Sequence, residues 1–253
     1  MYAAFSLNIN NWAKEDRKPF FDIGVKLWNA NAAQVSSALE KFLSPTGTLD
    51  GEAISNNWFP RVQADIFISH SHEDQDLAIA LAGWLSHTVK LTAFVDSCVW
   101  GCADYLLKIV DNEYCQKDAD ENLYDYQSRN HSTSHVHMML ATALSQMIDR
   151  TECLFFLNTP HSISSKDVVS RTESPWIYAE VGILQIIRRH RPSRMKKNAA
   201  VQFSESRLRV KYPVNVESLI PLNGNSCDRW VERWKGTSDH PLDVLYELFP
   251  GKE

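Results

Sequence analysis

The sequence predicts an α/β fold with a parallel sheet, and three consecutive segments carry this prediction. Residues 65–69 form a short apolar run rich in β-branched and aromatic side chains, which is typical of a buried strand. Residues 73–85 have apolar side chains at three- and four-residue spacing and carboxylates at their start, which predicts a helix. Residues 91–96 form a second apolar run. The strand–helix–strand unit is therefore expected to place its two strands parallel, with a right-handed crossover.

A ligand site is expected at the ends of these strands. Ligands of open α/β sheets collect outside the carboxyl ends of the strands. Ser69 and His70 end the first strand, and the loop after Asp96 ends the second. These residues should therefore border any site.

Composition excludes several classes of function. The 253 residues carry a net charge of -5, which gives no general reason to expect nucleic acid or an anionic membrane as a partner. No apolar run approaches the length of a membrane span, and the first residues lack the pattern of a signal peptide. The five cysteines are odd in number, which favours reduced thiols. We therefore expect a cytoplasmic protein.

A zinc site is the main alternative use of the cysteines. Cys98 and Cys102 could combine with His135 and His137, because zinc accepts sulfur and imidazole ligands. However, the chain has no paired Cys-x-x-Cys, and the two histidines do not share a face of a helix. We predict no metal site.

The remaining elements follow from periodicity and from turn residues. Residues 32–43 predict an amphipathic helix that ends at Ser44-Pro45, and residues 136–148 predict a longer one. Residues 116–134 are polar and are interpreted as an exposed insertion. Residues 153–157 predict a buried strand, and residues 208–212 alternate as a further strand. Two short helices are expected near the C-terminus.

A helix is expected to begin at Ser174 and to carry candidate catalytic residues. Ser174 is a good N-cap, and Pro175 suits the first helical position. Trp176 and Glu180 are four residues apart and so share one face. The spacing alone favours a tryptophan in the core and a glutamate that is solvated or interacts with the helix dipole.

Four motifs in order resemble the Toll/interleukin-1 receptor (TIR) domain family. They are Asp65-Ile66-Phe67-Ile68-Ser69-His70-Ser71-His72-Glu73-Asp74, Phe94-Val95-Asp96 with the 99–104 loop, the strand 153–158, and Ser174-Pro175-Trp176-Ile177-Tyr178-Ala179-Glu180. The last is similar to the Trp-x-x-x-Glu signature of TIR domains that cleave NAD. The resemblance implies a flavodoxin-like three-layer domain with a central parallel sheet over residues 63–253, including a C-terminal helical extension. Residues 1–62 would be an N-terminal extension packed on the core, with an oligomerisation element as the alternative.

The resemblance also implies a reaction. Glu180 would be the catalytic carboxylate for cleavage of the nicotinamide–ribose bond, with NAD as substrate and no further cofactor. Ser69, His70 and Trp176 would line the nucleotide site, and Trp100 would lie on the loop that gates the site and mediates TIR–TIR self-association. Alternatively, Trp100 is a structural residue whose side chain packs on the helix of its own loop, and the sequence favours neither interpretation.

Bacterial relatives of this type act in antiviral defence, where the product, a cyclic ADP-ribose-like signal, is sensed by a separate effector protein. The principal rival is a scaffold that joins TIR domains without turnover. A flavodoxin-like nucleotide receiver is disfavoured, because no glycine-rich phosphate loop follows the first strand.

Overall fold

The computed structural model describes residues 1–31, 39–43, 48–95, 97, 103–117, 120–163, 175–187, 189–194 and 218–250. This part of the chain forms two compact units. The first comprises Met1–Leu27, Gln63–Val95 and Ile148–Glu253, and the second comprises Trp28–Val62 and Asp96–Met147. Trp100, the expected N-cap Ser174 and the expected strand at 208–212 lie outside the described residues.

Strands and helices alternate along most of the chain. The described strands are β1 (Ala3–Asn8), β2 (Ile66–Ser69), β3 (Ala93–Phe94), β4 (Gln116–Lys117), β5 (Asp120–Tyr124), β6 (Cys153–Leu157) and β7 (Ile220–Asn223). The described α-helices are α1 (Lys14–Asn31), α2 (Gly51–Trp58), α3 (Gln75–Trp84), α4 (Ala103–Tyr114), α5 (Tyr126–Arg150), α6 (Pro175–Ile186), α7 (Gly224–Lys235) and α8 (Pro241–Leu248). Short helical turns cover Leu39–Phe42, His72–Asp74 and Leu85–Val89.

The first unit is built on a parallel sheet of five described strands in the order β3-β2-β6-β1-β7. Helices flank this sheet, and the architecture is consistent with a flavodoxin-like three-layer fold. Strands β2 and β3 are parallel, as the strand–helix–strand pattern predicts, and Ile66 lies opposite Ala93. Every residue of β6 is buried, because this strand lies between β2 and β1. The predicted α/β class is confirmed.

The N-terminal residues are not an added layer. Strand β1 lies inside the sheet, paired with β6 on one side and with β7 on the other. The prediction that residues 1–62 pack on the core as an extension is therefore wrong for the first strand. Residues Ala3 to Leu7 are all buried, although alanine, phenylalanine, serine and leucine give the run little β-branched character. Tertiary pairing with two neighbours, rather than local propensity, makes this segment a strand.

The polar stretch at residues 116–134 is more ordered than its composition indicates. It contains the antiparallel pair β4–β5, and its second half belongs to α5, which begins at Tyr126. The carboxylate of Asp125 accepts the backbone N–H of Ser128 at 2.8 Å, which caps this helix. Buried Asp111 of α4 accepts hydrogen bonds from Arg129 and Ser132. Most described residues of this stretch are exposed or half-buried, as predicted, but they form a hairpin and a helix rather than an irregular loop, because a polar network can organise a helix without apolar periodicity.

Helices α1 and α3 approach each other closely at two glycines. A Cβ atom added at Gly24 would overlap the carbonyl oxygen of Ile79, and one added at Gly83 would overlap that of Phe20. The two backbones can meet only because both positions lack a side chain. This contact fixes the helix that follows β2 against the helix that follows β1.

No helix in the described ranges combines the length and the apolar character that a bilayer crossing requires.

Candidate functional site

Ser69 ends strand β2 at the carboxyl edge of the sheet. Its neighbours in the strand, Ile66 to Ile68, are fully buried between β3 and β6, and this packing fixes the position of Ser69. Ser69 itself is only 1% exposed. A buried hydroxyl at this edge requires a hydrogen-bond partner.

Glu180 of α6 is the partner of Ser69. Glu180 is 4% exposed and lies with Ile177, Val181 and Leu184 on the buried side of its helix. Glutamate is almost never buried to this degree without a partner. The interpretation of Glu180 as a solvated residue is therefore excluded.

The Ser69 hydroxyl donates a hydrogen bond to Oε2 of Glu180, with 2.5 Å between the two oxygens. The two residues are 111 positions apart in sequence, and the bond lies in the interior. A hydroxyl that donates to a carboxylate makes a short, strong bond and holds the carboxylate in one orientation. The structure thus brings together two of the residues that the sequence selects.

His70 and Trp176 are less enclosed. Both side chains are half-buried, and Nδ1 of His70 lies 3.4 Å from the carbonyl oxygen of Ile68. Trp176 lies in the first turn of α6, one turn before Glu180. A partly exposed imidazole and indole beside a buried carboxylate can contact a ligand that the carboxylate alone would not hold.

The sheet topology makes this edge a favoured position for a ligand site. The connection that leaves β2 leads outward to β3, whereas the connection that leaves β6 leads to β7 at the opposite edge. Parallel crossovers are right-handed in nearly all proteins, so these connections lie on opposite faces of the sheet. The space between the ends of adjacent β2 and β6 is a topological switch point, where such sheets bind ligands.

Sequence reasoning missed a second buried contact at this edge. Asp74 precedes α3 and accepts a hydrogen bond from the Thr159 hydroxyl at 2.5 Å. Asp74 is 7% exposed and Thr159 is 4% exposed. The sequence indicates only that the carboxylates at the start of α3 suit the positive end of the helix dipole, and it does not indicate that Asp74 is buried. The only sequence feature that indicates this contact is the position of Thr159 directly after a buried strand.

The Asp74–Thr159 contact supports the first testable prediction. Thr159→Val removes the hydroxyl and leaves its shape, so a buried carboxylate loses a donor. We expect the free energy of unfolding to fall by about 1–3 kcal/mol. Thr159→Ser keeps the hydroxyl and is the matched control. Urea unfolding of both variants measures the difference, and equal stabilities would contradict the assigned bond.

A cluster of charged residues lies on the opposite, amino edge of the sheet. Glu152, His240 and Asp243 place ligand-type atoms within 4.8 Å of one another, and they are the sole such group among the described residues. The guanidinium of Arg194 already binds both carboxylates. Its hydrogen bonds to Glu152 raise the pKa of Arg194 further. Because this cation neutralises the two acids, the cluster is best explained as a structural ion pair.

Tyr246 extends the same cluster and gives a prediction about pH. Its hydroxyl donates to Oε1 of Glu152 at 3.0 Å, and burial raises the pKa of Tyr246 far above its usual range. In the unfolded chain the phenol ionises above about pH 10, whereas the folded protein keeps the proton. A raised folded pKa contributes stability that is present below the unfolded pKa and is lost as pH rises.

We therefore expect the free energy of unfolding to decrease between about pH 9 and pH 11 (roughly one unit either side of the phenol pKa), and to decrease less in Tyr246→Phe. Tyr126, which is 80% exposed, provides the control substitution Tyr126→Phe. Unfolding curves at several pH values give the slopes. A slope unchanged by Tyr246→Phe would rule out this phenol as the source.

Comparisons of the chain with protein-family models, with curated proteins and with solved structures found no match. The proposed function therefore rests on the buried contact between Ser69 and Glu180 at the switch point.

Proposed function

We propose that this protein cleaves the nicotinamide–ribose bond of NAD, with Glu180 as the catalytic carboxylate. The buried hydrogen bond between Ser69 and Glu180 carries the proposal. It orients a buried carboxylate at the carboxyl edge of a parallel sheet, and a carboxylate of this kind is the group that NAD cleavage needs. The four TIR-like motifs, which include both residues, support the same assignment.

One carboxylate is sufficient for this reaction. Ordinary glycosidases use two, because the leaving group must be protonated. The nicotinamide of NAD is already a cation and leaves as a neutral molecule, so no acid is needed. The positive charge that develops on the ribose is stabilised by a fixed carboxylate, and burial of Glu180 strengthens that electrostatic effect.

The remaining predicted site residues would bind NAD and orient it. The half-buried Trp176 indole offers an aromatic face to a base, and His70 offers a ring nitrogen to a ribose hydroxyl or a phosphate. The Ser69 hydroxyl keeps Glu180 aimed at the sugar. Trp100 would cover the site from its loop and would join neighbouring TIR domains.

The biological role follows from the resemblance to bacterial TIR proteins. The product would be ADP-ribose or a cyclic ADP-ribose-like signal, made in antiviral defence and sensed by a separate effector protein. Self-association would activate turnover in the cytoplasm, as in TIR assemblies.

A non-catalytic scaffold is the second candidate, and one observation favours it. The second unit exposes several large side chains: Tyr105, Tyr114, Leu123, Tyr126 and Met138 are each at least half exposed. Exposed aromatic and methionine side chains are common in surfaces that bind other proteins. In this alternative Glu180 would be a structural residue and NAD would be left intact.

The deciding experiment measures nicotinamide release from NAD by the purified full chain at high protein concentration, with products separated by chromatography. Release by the wild type and its absence in Glu180→Ala would support the enzyme. A folded wild type that assembles and leaves NAD intact would favour the scaffold.

A further inference from the structure

A cavity opens on the carboxyl edge of the sheet, away from Ser69 and Glu180. Its volume is about 480 Å³, and it lies where β1 and β7 end, with α3 and the start of α7 as walls. This volume is within the range of small-molecule sites, toward its lower end. The cavity therefore suits a nucleoside-sized ligand rather than a whole dinucleotide.

The walls combine two indoles with side-chain amides. Trp12 and Trp84 line the cavity, each half-buried and each held by an aromatic neighbour, Phe20 or Trp230. Indoles fixed in this way present flat apolar faces on which a base can stack. Asn8, Asn11 and Asn225 add groups that donate and accept hydrogen bonds. An asparagine amide matches the paired donor and acceptor edge of adenine.

Among the described residues that line the cavity, Asp228 is the one with a charged side chain. A carboxylate accepts hydrogen bonds from the two ribose hydroxyls, as an acidic residue does in dinucleotide-binding sheets. Cys227 is also in the wall, but burial raises its pKa to about 12. Its thiol is therefore neutral at pH 7 and is not a nucleophile.

The start of α7 forms one side of the cavity. Asn223 caps this helix by accepting the backbone N–H of Ser226 at 3.0 Å. Gly224 borders the cavity, and no described atom lies within 4 Å of the place where its Cβ would stand. The protein's own packing thus leaves this backbone open to a ligand.

We propose that this cavity binds a purine nucleoside group, with the base on the indoles and the ribose at Asp228. Two molecules can present this group: a free mononucleotide such as AMP, or the adenosine half of NAD. In the sheet β1 lies two places from β2, which is roughly 10 Å at the usual strand spacing. A dinucleotide extended along the edge would span that distance. Of the two ligands, only the adenosine half of NAD rests on the proposed function.

The test uses the full chain with AMP as the probe, followed by calorimetry. Gly224→Leu fills the cavity entrance, and Gly224→Ala is the matched control at the same position. We expect AMP binding by the wild type and Gly224→Ala, and at least a tenfold weaker affinity in Gly224→Leu. Asp228→Ala, at an exposed position, should weaken binding about tenfold through loss of the ribose contact. Absence of AMP binding by the folded wild type, or equal binding by all variants, would overturn the proposal.

A kinetic measurement separates the two sources. If the cavity holds the adenosine half of NAD, Gly224→Leu raises KM for NAD at least tenfold with little change in kcat, and cleavage of nicotinamide mononucleotide is unaffected. If Gly224→Leu loses AMP binding without any effect on NAD cleavage, the ligand is a free mononucleotide. AMP binding by a chain that never cleaves NAD would refute the proposed function and support the cavity assignment.

Discussion

Replacing Glu180 with glutamine is expected to reduce nicotinamide release at least about a thousandfold, because the charge that stabilises the developing ribose cation is removed. Glutamine keeps the size of the side chain and can still accept the Ser69 hydroxyl. The fold should therefore survive, and the loss should appear in kcat. Single-turnover nicotinamide release and circular dichroism on the same sample measure both properties.

Two further variants make the Glu180 result specific. Ser69→Ala should lower turnover by roughly tenfold to a hundredfold, because the carboxylate loses a charge-assisted bond that orients it. Glu73→Gln is the control, since the Glu73 side chain is 70% exposed and pairs with His161. Glu180→Gln with wild-type turnover would refute the catalytic role. Equal losses in Glu73→Gln would point to a general charge effect.

Gly83→Ala is expected to give the largest loss of stability from a single methyl group. The new Cβ would overlap the backbone carbonyl of Phe20, so the two helix backbones would have to move apart. We expect the free energy of unfolding to fall by roughly 1–3 kcal/mol. Helix propensity alone predicts the opposite sign, a gain of roughly 0.5–1 kcal/mol. The sign of the change therefore tests the α1–α3 contact.

Gly182→Ala is the matched comparison for Gly83→Ala. Gly182 is also inside a helix, but no described atom lies within 4 Å of its Cβ position. Here the propensity term should dominate, so a small gain is expected. Urea unfolding followed by tryptophan fluorescence gives both values. If both alanine variants gained stability, the close approach of α1 and α3 would be wrong.

The two glycines also link the fold to the proposed chemistry. Helix α3 begins just after Ser69, and α1 holds it in place through Gly24 and Gly83. Loss of this contact should displace the end of β2 and, with it, the serine that orients Glu180. Gly83→Ala is therefore expected to lower NAD turnover as well, in proportion to the loss of folded protein or beyond it.

Segments whose signal is local were predicted correctly. Strand β6 matches the predicted range, residues 153–157, and α6 begins at Pro175, as the residue preferences of helix starts indicate. The run 65–69 is a strand because β-branched and aromatic side chains favour a buried, extended chain. Glu180 was selected through its spacing from Trp176 and through a family motif.

Other features depend on residues far apart in the chain. Strand β1 has weak strand propensity and is a strand because β6 and β7, more than 140 and 210 residues later, supply its hydrogen bonds. Asp74 is buried because Thr159 reaches it from another loop. The cavity beside β1 and α7 joins residues from three segments that are far apart in the chain, so no local pattern could indicate it.

The sequence by itself determined the α/β class, the strand–helix–strand unit around Ser69 and the helix that carries Glu180, because hydrophobic periodicity and capping preferences act over a few residues. Only the tertiary structure decided that the first strand lies inside the sheet, that the Ser69 hydroxyl donates to a buried Glu180, and that two helices meet at glycines. These outcomes depend on strand pairing, burial and close packing between distant segments. Such contacts contribute free energy only when folding has brought the segments together.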